Sequence, residues 1–518
     1  MGFMHIESVA WAVVACLLAL AVARHIYRVR RSPLAKVPNA GYLAPYSRLG
    51  WLFLHENRGT ITLDLPPLHD ELGPLIRIGP REVSFYSLEV YNTVHKVGRK
   101  FKKDPRVYGE FVQDGHPALF SITDPAEHSK RRRLMGQLFN RSKMDNLEGL
   151  MLHHINQWVA AIAKKTDMVV DLAAACRALE ADIISDFSFG ATIGAIDAWS
   201  HGRQLGMVAK NDEKATWMPI LTTLPTIVQL WEWAEAAVFS IAGYQSSYTQ
   251  ELQNFHKWAN QSWSAAISRD AKPSPNPNLV QTLVRSGLPP LTALSEAKEN
   301  LGPGTDTTSA SLAHVLWALA HNGQFQEELF DDLSKSGFPT DMTSLESVAK
   351  LSACVHEGIR WAGAAAAMLP RIVPEGGVEL HGTFIPEGTV LTSSPIWYLR
   401  DKTAFPSPEY YDPYRWLTSD GTEISEDALR DRFYIPFSKG ANVCMGIHFS
   451  YYELYLSVSR VICNYRIHVH EVGPYAGARS GMVSGVKWQR VKLPSRKEWV
   501  AAVVTDELEV IMEPRGIK

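Results

Sequence analysis

The sequence predicts a mainly α-helical protein with small β-sheets, in which one large domain follows an N-terminal apolar helix. Helical spacing of apolar residues dominates the chain as far as about residue 320. Strand-like runs are short: residues 75–85 have the pattern of a hairpin, and residues 371–391 mix β-branched stretches with glycine and proline. The 518 residues are 46% hydrophobic and 20% charged, which is enough apolar material for a deep core.

Charge and cysteine content argue against two classes of function. The 52 lysines and arginines nearly balance the 54 aspartates and glutamates, so the net charge of −2 offers no general attraction for nucleic acid. The cysteines are widely spaced and form no C-x-x-C motif, which makes a disulfide framework or a structural zinc site improbable and favours a reducing compartment. They are Cys16, Cys176, Cys354, Cys444 and Cys463.

The N-terminus has the composition of a membrane anchor. Residues 9–23 carry no charge, and as a helix they span roughly 22 Å, against a hydrocarbon core of about 30 Å. A cleaved signal peptide is the alternative, since Ala21-Val22-Ala23 has the form of a cleavage site. Basic residues follow the apolar run and none precedes it, which predicts an uncleaved signal-anchor over residues 1–31 with the downstream chain in the cytosol. Those basic residues are Arg24, Arg28, Arg30 and Arg31.

The remaining organisation is simple. Pro33, Pro38 and Pro45 disfavour helix and predict an extended, fairly stiff hinge over residues 32–45. No shift in composition divides residues 46–518, so we expect one catalytic domain there. A stretch of proline, asparagine and serine at residues 272–278 predicts a loop.

Residues 217–241 are unusually apolar although Pro219 and Pro225 interrupt them. Two interpretations remain open. In the first, residues 217–241 form buried core helices. In the second, they form a surface that dips into a bilayer or covers an apolar pocket.

The strongest chemical motif is the segment FSKGANVCMG at residues 437–446, followed by a helical pattern. A cysteine just before a helix N-terminus is placed where backbone N–H groups favour the thiolate. The segment resembles the haem-binding loop of the cytochrome P-450 superfamily. That resemblance implies haem b as cofactor, with Cys444 as the axial iron ligand and Phe437 packed near it. It also implies that Gly440 and Gly446 let the backbone approach the porphyrin. Asn442 stands where the family usually has a propionate-binding Arg or His.

A second motif lies about ninety residues before Cys444. Glu357 and Arg360 form E-x-x-R, and residues 413–416 (PYRW) resemble the later P-x-R-[FW] element of the same family. The resemblance implies a network of Glu357, Arg360 and Arg415 behind the haem. Alone, E-x-x-R is often only an exposed helical ion pair worth about 0.3–0.5 kcal/mol. A metalloprotease motif is excluded, because H-E-x-x-H, starting at His356, would need histidine at position 360.

A third motif is GPGTDTT at residues 302–308, at the head of a long helical pattern. It resembles the oxygen-binding helix of the family, with Thr307 and Asp306 as the catalytic pair that holds water for proton delivery, and with Gly304 loosening the helix. The other interpretation of D-T-T is a helix N-cap. Pro303 stands where the family has Ala or Gly, and we expect it to bend or interrupt the helix.

A fourth motif contains His128 and Arg132, which are four residues apart and therefore share one helix face. It resembles the family's W/H-x-x-x-R element, whose side chains bind a haem propionate, and Arg371 in LPRIVPEGG resembles another propionate ligand. The neighbouring basic residues form a solvated face or dock an acidic redox partner, and the sequence favours neither. They are Lys130, Arg131 and Arg133.

The resemblance extends from the anchor to about residue 470 and is closest to filamentous-fungal members that act in secondary metabolism. It implies a haem-dependent monooxygenase that uses O2 and inserts one oxygen atom into an apolar small molecule. Electrons would come from NADPH through a separate cytochrome P-450 reductase, since the chain has no Rossmann fingerprint. The implied location is the endoplasmic reticulum membrane, single-pass, with the catalytic domain in the cytosol.

Two alternatives stay open at this point. One is oxidative coupling, desaturation, rearrangement or dehydration on the same haem-thiolate scaffold, which Pro303 makes more plausible. The other is a non-enzymatic, membrane-tethered haem or lipid carrier, in which Thr307 and Asp306 would only pack or cap a helix.

Overall fold

A computed structural model describes residues 2–98, 101–165, 169–268, 278–470, 480–482 and 489–516. The chain divides into two compact units. The first comprises Met1–Asp104 and Leu369–Ser393, and the second comprises Pro105–Met368 and Ser394–Lys518.

Helices make up most of the described chain, and the strands are short. The helices are α1 (Gly2–Arg31), α2 (Leu52–Arg58), α3 (Ile61–Leu72), α4 (Leu88–His95), α5 (Pro105–Tyr108), α6 (Pro125–Phe139), α7 (Glu148–Ala163), α8 (Leu172–Phe189), α9 (Ala195–Ser200), α10 (Gly206–Thr223), α11 (Pro225–Ala242), α12 (Ser247–Ile267), α13 (Leu279–Arg285), α14 (Pro290–Ala320), α15 (Gly323–Lys335), α16 (Met342–Ser347), α17 (Ala349–Ala362), α18 (Pro395–Leu399), α19 (Ala428–Phe433) and α20 (Ile447–Asn464). The strands are β1 (Leu75–Arg77), β2 (Glu82–Phe85), β3 (Lys102–Lys103), β4 (Val169–Asp171), β5 (Arg371–Ile372), β6 (Val378–Leu380), β7 (Thr383–Ile385), β8 (Val390–Thr392), β9 (Tyr410–Tyr411), β10 (Tyr465–Val469), β11 (Ser480–Met482), β12 (Gln489–Lys492), β13 (Arg496–Glu498), β14 (Ala502–Val504) and β15 (Glu509–Pro514). The prediction of a mainly helical chain with small sheets is confirmed.

The first unit is built on a five-stranded sheet with the order β1-β2-β8-β5-β3. The predicted hairpin is present, because β1 and β2 pair antiparallel with Leu75 opposite Phe85. The predicted strands near residues 371–391 form β5 to β8, in which β6 and β7 make a second hairpin. These pairings place Arg371 opposite both Lys103 and Leu391.

The N-terminal helix α1 is longer than the charge-free run that predicted it. Its portion Trp11–Arg31 is long and apolar enough to cross a membrane, and only 6% of its most apolar window is buried. After it, Pro33–Lys36 is a 3-10 turn capped by the Ser32 hydroxyl, which accepts a hydrogen bond from the Leu34 N–H (3.2 Å). The extended conformation expected there is wrong for these residues, since proline is tolerated in a first helical turn.

The second unit is organised around α14, which packs against α8, α13, α17 and α20. The part of α14 that follows Thr308 is largely buried and contributes to the main hydrophobic core. Small sheets with the orders β10-β15-β4 and β11-β12-β9 lie in the same unit. The loop predicted at residues 272–278 lies outside the described residues except for Asn278, whose side chain caps α13.

Helix α14 continues through Pro303, so the interruption offered as one of two expected effects is wrong, and the bend stays a prediction. A proline inside a helix costs about 3 kcal/mol or more, but burial of this long helix against four neighbours offsets that cost. Gly304 also has a packing role, and the loosening of the helix expected of it stays a prediction. A Cβ at this position would lie 2.7 Å from Ile184 Cγ1, so glycine permits the close approach of α8 to α14.

Residues 217–241 form parts of α10 and α11 and lie mainly at the surface. None of the residues of α11, all of which the structure describes, is buried. The buried-core interpretation is therefore wrong for α11, and contact with a bilayer or with an apolar pocket stays a prediction. We call the following side chains the exposed apolar surface: Trp217, Ile227, Leu230, Trp231, Trp233, Val238, Phe239 and Ile241.

Candidate active site

The loop of residues 437–446, which we call the cysteine loop, folds back on itself immediately before α20. The Cys444 N–H donates to the Phe437 carbonyl (3.0 Å), and Gly440 starts a 3-10 turn that ends at Asn442. Gly440 has a φ of 72°, a conformation that favours glycine. At Gly446 the described protein atoms leave room for a Cβ, which would lie 3.8 Å from Cys444 Sγ.

Cys444 is accessible to solvent, whereas Cys176, Cys354 and Cys463 are buried. The surrounding protein nevertheless raises the pKa of the Cys444 thiol, and the Gly446 backbone N–H and the charge of Arg132 oppose that increase. Phe437 lies against Tyr451 of α20, with ring centroids 5.5 Å apart. The loop thus presents one accessible sulfur at the start of a helix.

Helix α6 brings Arg132 to the cysteine loop. The helix begins after Asp124, whose carboxylate accepts hydrogen bonds from the Ala126 and Glu127 N–H groups at 2.9 and 3.0 Å. Arg132 Nη1 donates to the Val443 carbonyl (2.5 Å), one residue before Cys444.

His128, one turn before Arg132, is buried. The neighbouring basic residues separate into two kinds. Arg131 forms an ion pair with Glu296 of α14, whereas Lys130 and Arg133 are exposed.

The predicted catalytic pair lies on α14. The Thr307 hydroxyl donates to the Pro303 carbonyl (3.0 Å). Asp306 accepts a hydrogen bond from Arg177 Nη2 (2.5 Å), and Arg177 belongs to α8. Burial raises the pKa of the Asp306 carboxyl, and Arg177 opposes this effect. Sequence analysis missed Arg177, since nothing near it in the chain indicates that it faces Asp306.

The structure brings Glu357, Arg360 and Arg415 together in the core. Glu357 Oε1 accepts from Arg360 Nη2 (2.7 Å) and from Arg415 Nε (3.1 Å), and its other oxygen accepts from Trp416 Nε1 (2.9 Å). Burial tends to raise the pKa of Glu357, but the charges of Arg360 and Arg415 outweigh it and hold that pKa below its ordinary value.

Arg360 also donates to the carbonyls of Leu399, Pro408 and Tyr410, so it fastens α17 to the following chain. The exposed ion pair that E-x-x-R alone would suggest is therefore not what forms here.

Comparison with known protein families gives one match across most of the chain: a family model described as cytochrome P450 covers residues 41–482. The chain belongs to the cytochrome P450 family. Members of this family carry haem iron bound by a cysteine thiolate, and this P450 is a haem-dependent monooxygenase.

Several curated relatives of this P450 come from filamentous fungi. Cytochrome P450 monooxygenase macH of Penicillium terrestre is 27% identical, over 85% of this chain and 88% of the relative. Monooxygenase astB of Aspergillus terreus is 26% identical, over 87% and 89% of the two chains. Tryptophan 6-hydroxylase fscE of Fusarium equiseti is 25% identical, over 86% and 88%.

The residues of this P450 fit a haem in two respects. In the second unit, an accessible Cys444 lies next to Arg132, which is the arrangement that a thiolate-bound iron with a nearby propionate requires.

In the first unit, Arg371 is buried and donates to the Pro370 carbonyl (2.9 Å). Its neighbour His95 is 3% exposed, and neither ring nitrogen has a hydrogen-bond partner in the described structure. Burial and the charge of Arg371 lower the pKa of His95 well below its ordinary value. A buried, unpartnered imidazole beside a guanidinium suits a carboxylate such as a haem propionate. Sequence analysis missed His95.

Proposed function

We propose that this P450 binds haem b through Cys444 and inserts one oxygen atom from O2 into an apolar small molecule of fungal secondary metabolism. The observation that carries the proposal is the accessible Cys444 sulfur, held in a loop that Arg132 of α6 reaches. The fungal relatives support the reaction class. Their identity of 25–27% leaves the substrate to be determined.

The haem would be held by residues from several elements. Cys444 supplies the thiolate, Gly440 gives the loop its shape, and Phe437 packs beside it. Arg132, His128 and Asn442 of the second unit are proposed to bind the propionates, and Arg371 of the first unit is the further propionate ligand that the family resemblance implies. When bound, the haem supplies oxygen activation, which the thiolate assists by donating electron density.

The protein's own contribution to the reaction is proton handling on α14. We assign Thr307 to holding water and Asp306 to exchanging protons with it. Because Arg177 binds Asp306, the carboxylate has to leave Arg177 or share it before it can pass a proton on. Arg177 is therefore a positioning residue that acts through Asp306.

Electrons reach a P450 from a redox partner, and here we propose an NADPH-dependent cytochrome P450 reductase. Exposed Lys130 and Arg133 on α6 are candidates for docking its acidic surface, because α6 also contacts the cysteine loop through Arg132. Arg131 is excluded from that role by its ion pair with Glu296.

The experiment that tests the proposed reaction is turnover with isotopically labelled O2 and a candidate substrate. The substrate is best found as the metabolite that accumulates when the gene is deleted. Insertion adds one labelled oxygen atom to the product, whereas coupling, desaturation or rearrangement adds none. Pro303, which gives weight to those other reactions, lies inside an uninterrupted α14.

Replacing Thr307 by alanine should divert electrons from product to hydrogen peroxide. Haem content and substrate binding should stay nearly unchanged, because the Thr307 hydroxyl contacts only a backbone carbonyl of its own helix among the described atoms. A positioned proton donor contributes typically about 10²–10⁴-fold in rate. The ratio of product formed to NADPH consumed measures the effect.

The matched control is Thr305→Ala, since Thr305 makes the same kind of bond, to the Leu301 carbonyl (2.8 Å), but is buried. The control should keep the wild-type ratio. An equal ratio for both variants and the wild type would remove Thr307 from proton delivery.

We further propose that α1 anchors the protein in the endoplasmic reticulum membrane with the catalytic domain in the cytosol. The length and apolar character of Trp11–Arg31 and the basic residues at its end support this. The exposed apolar surface of α10 and α11 is the second candidate for membrane contact.

Deleting residues 1–31 should weaken membrane association and leave the haem-binding fold intact. Residual binding to lipid vesicles should fall at least about tenfold when Ile241 is also replaced by serine, because burying a large apolar side chain contributes about 1.5–3 kcal/mol. Vesicle flotation measures both effects. A mature protein whose first residue is Arg24 would instead show that the segment is a cleaved signal peptide.

A further inference from the structure

Two glutamates meet in the core of the second unit. Glu180 lies on α8 and Glu453 on α20, and each is only 1% exposed. Their carboxyl groups lie close enough to interact with each other. The proposed function uses neither of them.

This contact requires a proton. An ionised carboxylate can only accept hydrogen bonds, so two carboxyl groups bond to each other only when at least one is protonated. Burial raises the pKa of Glu453 to about 7, and burial together with the Glu453 charge raises that of Glu180 well above its ordinary value. In the described part of the chain no cation is paired with either carboxyl that could stabilise a second negative charge.

The polar atoms around the pair do little to offset the cost of burying two carboxyl groups. The Oε1 atoms of Glu180 and Glu453 are buried and have no hydrogen-bond partner among the described residues. The same holds for the hydroxyl of Ser457, one turn further along α20. If both carboxyls were ionised, two adjacent buried charges would therefore lie side by side, and a proton between them removes one of these charges.

The pair joins the two helices that support the candidate active site. Helix α20 starts directly after the cysteine loop, and its Ser450 hydroxyl lies 3.2 Å from the Thr308 hydroxyl of α14. Helix α8 carries Arg177, which binds Asp306 and lies three residues before Glu180. A change in the contact between α8 and α20 would thus reach both Cys444 and Asp306.

We propose that Glu180 and Glu453 share a proton at neutral pH, and that this proton fastens α20, and with it the cysteine loop, to α8. In alkaline solution the proton is lost, the two carboxylates repel each other, and α20 loosens. Only the consequence for Cys444 rests on the proposed function. The effect on folding stability does not.

The other titratable groups near the pair do not produce this alkaline effect. The Cys176 thiol, one turn before Glu180, has a pKa raised far above its ordinary value by burial and by Glu180. On α7, His154 Nε2 is hydrogen-bonded to Asp186 of α8 (2.9 Å). Asp182 of α8 accepts hydrogen bonds from the backbone of residues 194–196.

On α14, Asp306 is paired with Arg177, and His314 Nδ1 bonds to the Ala310 carbonyl (2.6 Å). Burial lowers the pKa of His314 to about 4, so it is neutral throughout the alkaline range. On α20, burial raises the pKa of the Cys463 thiol, which keeps that group protonated near neutral pH.

The sign of the pH dependence follows from the raised pKa values. The folded protein holds these protons more tightly than the unfolded chain does, so their stabilising effect is complete below the unfolded pKa of glutamate, about 4.3. It is lost as the pH rises through about 7 and above. Each such proton changes the unfolding equilibrium constant by up to about tenfold per pH unit.

The test uses the holoenzyme and denaturant unfolding followed by tryptophan fluorescence from pH 6 to pH 9. Wild type should lose stability as the pH rises. Glu453→Gln and Glu180→Gln keep the side-chain shape and allow a hydrogen bond between the two groups. In each variant, the slope of the unfolding free energy against pH should fall by the amount that one proton contributes. The control, Glu426→Gln, removes an exposed carboxyl of the same unit and should match wild type.

A second measurement does not depend on the variants folding. Infrared spectra of wild type at pH 7 should contain a protonated-carboxyl band that disappears in step with the loss of stability at higher pH. Wild-type stability that is constant or rises from pH 6 to pH 9, or Gln variants with the wild-type slope, would overturn the shared proton. If stability falls as expected while the thiolate-type carbon monoxide spectrum stays unchanged at every pH, the link to the cysteine loop is wrong.

Discussion

Cys444→Ser is expected to abolish the thiolate-type carbon monoxide spectrum and all monooxygenase turnover. A serine hydroxyl is not ionised near neutral pH, so the variant lacks the anionic sulfur that the haem iron of a P450 needs. The fold should survive, because Cys444 is accessible rather than packed in the core and the change removes no buried contact. Far-ultraviolet circular dichroism and the carbon monoxide difference spectrum together measure this result.

The remaining cysteines of the second unit supply the control. Cys176, Cys354 and Cys463 are buried, and burial raises the pKa of each thiol above its ordinary value. Their serine variants should retain the thiolate-type spectrum and lose only stability. A thiolate-type spectrum in Cys444→Ser would refute the assignment of the iron ligand.

Sequence analysis found those parts of the candidate site whose residues lie close together in one short stretch of the chain. The cysteine loop and the pair Glu357–Arg360 are local patterns, in which residue type and spacing together carry the information. Arg177 and Asp306 are 129 positions apart, and their contact exists only because α8 packs on α14. The pairing of Glu180 with Glu453 depends on tertiary packing in the same way, so no spacing rule could have predicted it.

Tertiary packing decided two further points, one expectation and one open alternative. The expectation for Pro303 considered one missing N–H and one steric clash, but packing of α14 against its neighbouring helices outweighs a local cost of about 3 kcal/mol. Residues 217–241 have the composition of core helices, yet α11 is exposed. Composition reports how apolar a segment is, whereas its exposure depends on which neighbours the rest of the chain provides.

Glu357→Ala is expected to have the largest effect on stability, a loss of about 3–5 kcal/mol in the free energy of unfolding. Removing one partner of a buried ion pair leaves uncompensated charge, and here Arg360 and Arg415 would both lose their shared carboxylate. Arg360 is fully buried and cannot turn to water. Chemical denaturation, with haem retention measured in parallel, checks the prediction.

The chain contains a control of the same spacing on its surface. Asp332 and Lys335 of α15 are also three residues apart, and Lys335 is 76% exposed. Lys335→Ala should change stability by at most about 0.5 kcal/mol, because solvent screens an exposed pair. The pH profile separates charge from packing: the pKa of Glu357 is held low, so its stabilising effect is present above the unfolded pKa and lost as the pH falls through the folded value. Glu357→Ala should therefore lose less stability on acidification than wild type, and equal acid sensitivity in the two proteins would mean that Glu357 acts by packing alone.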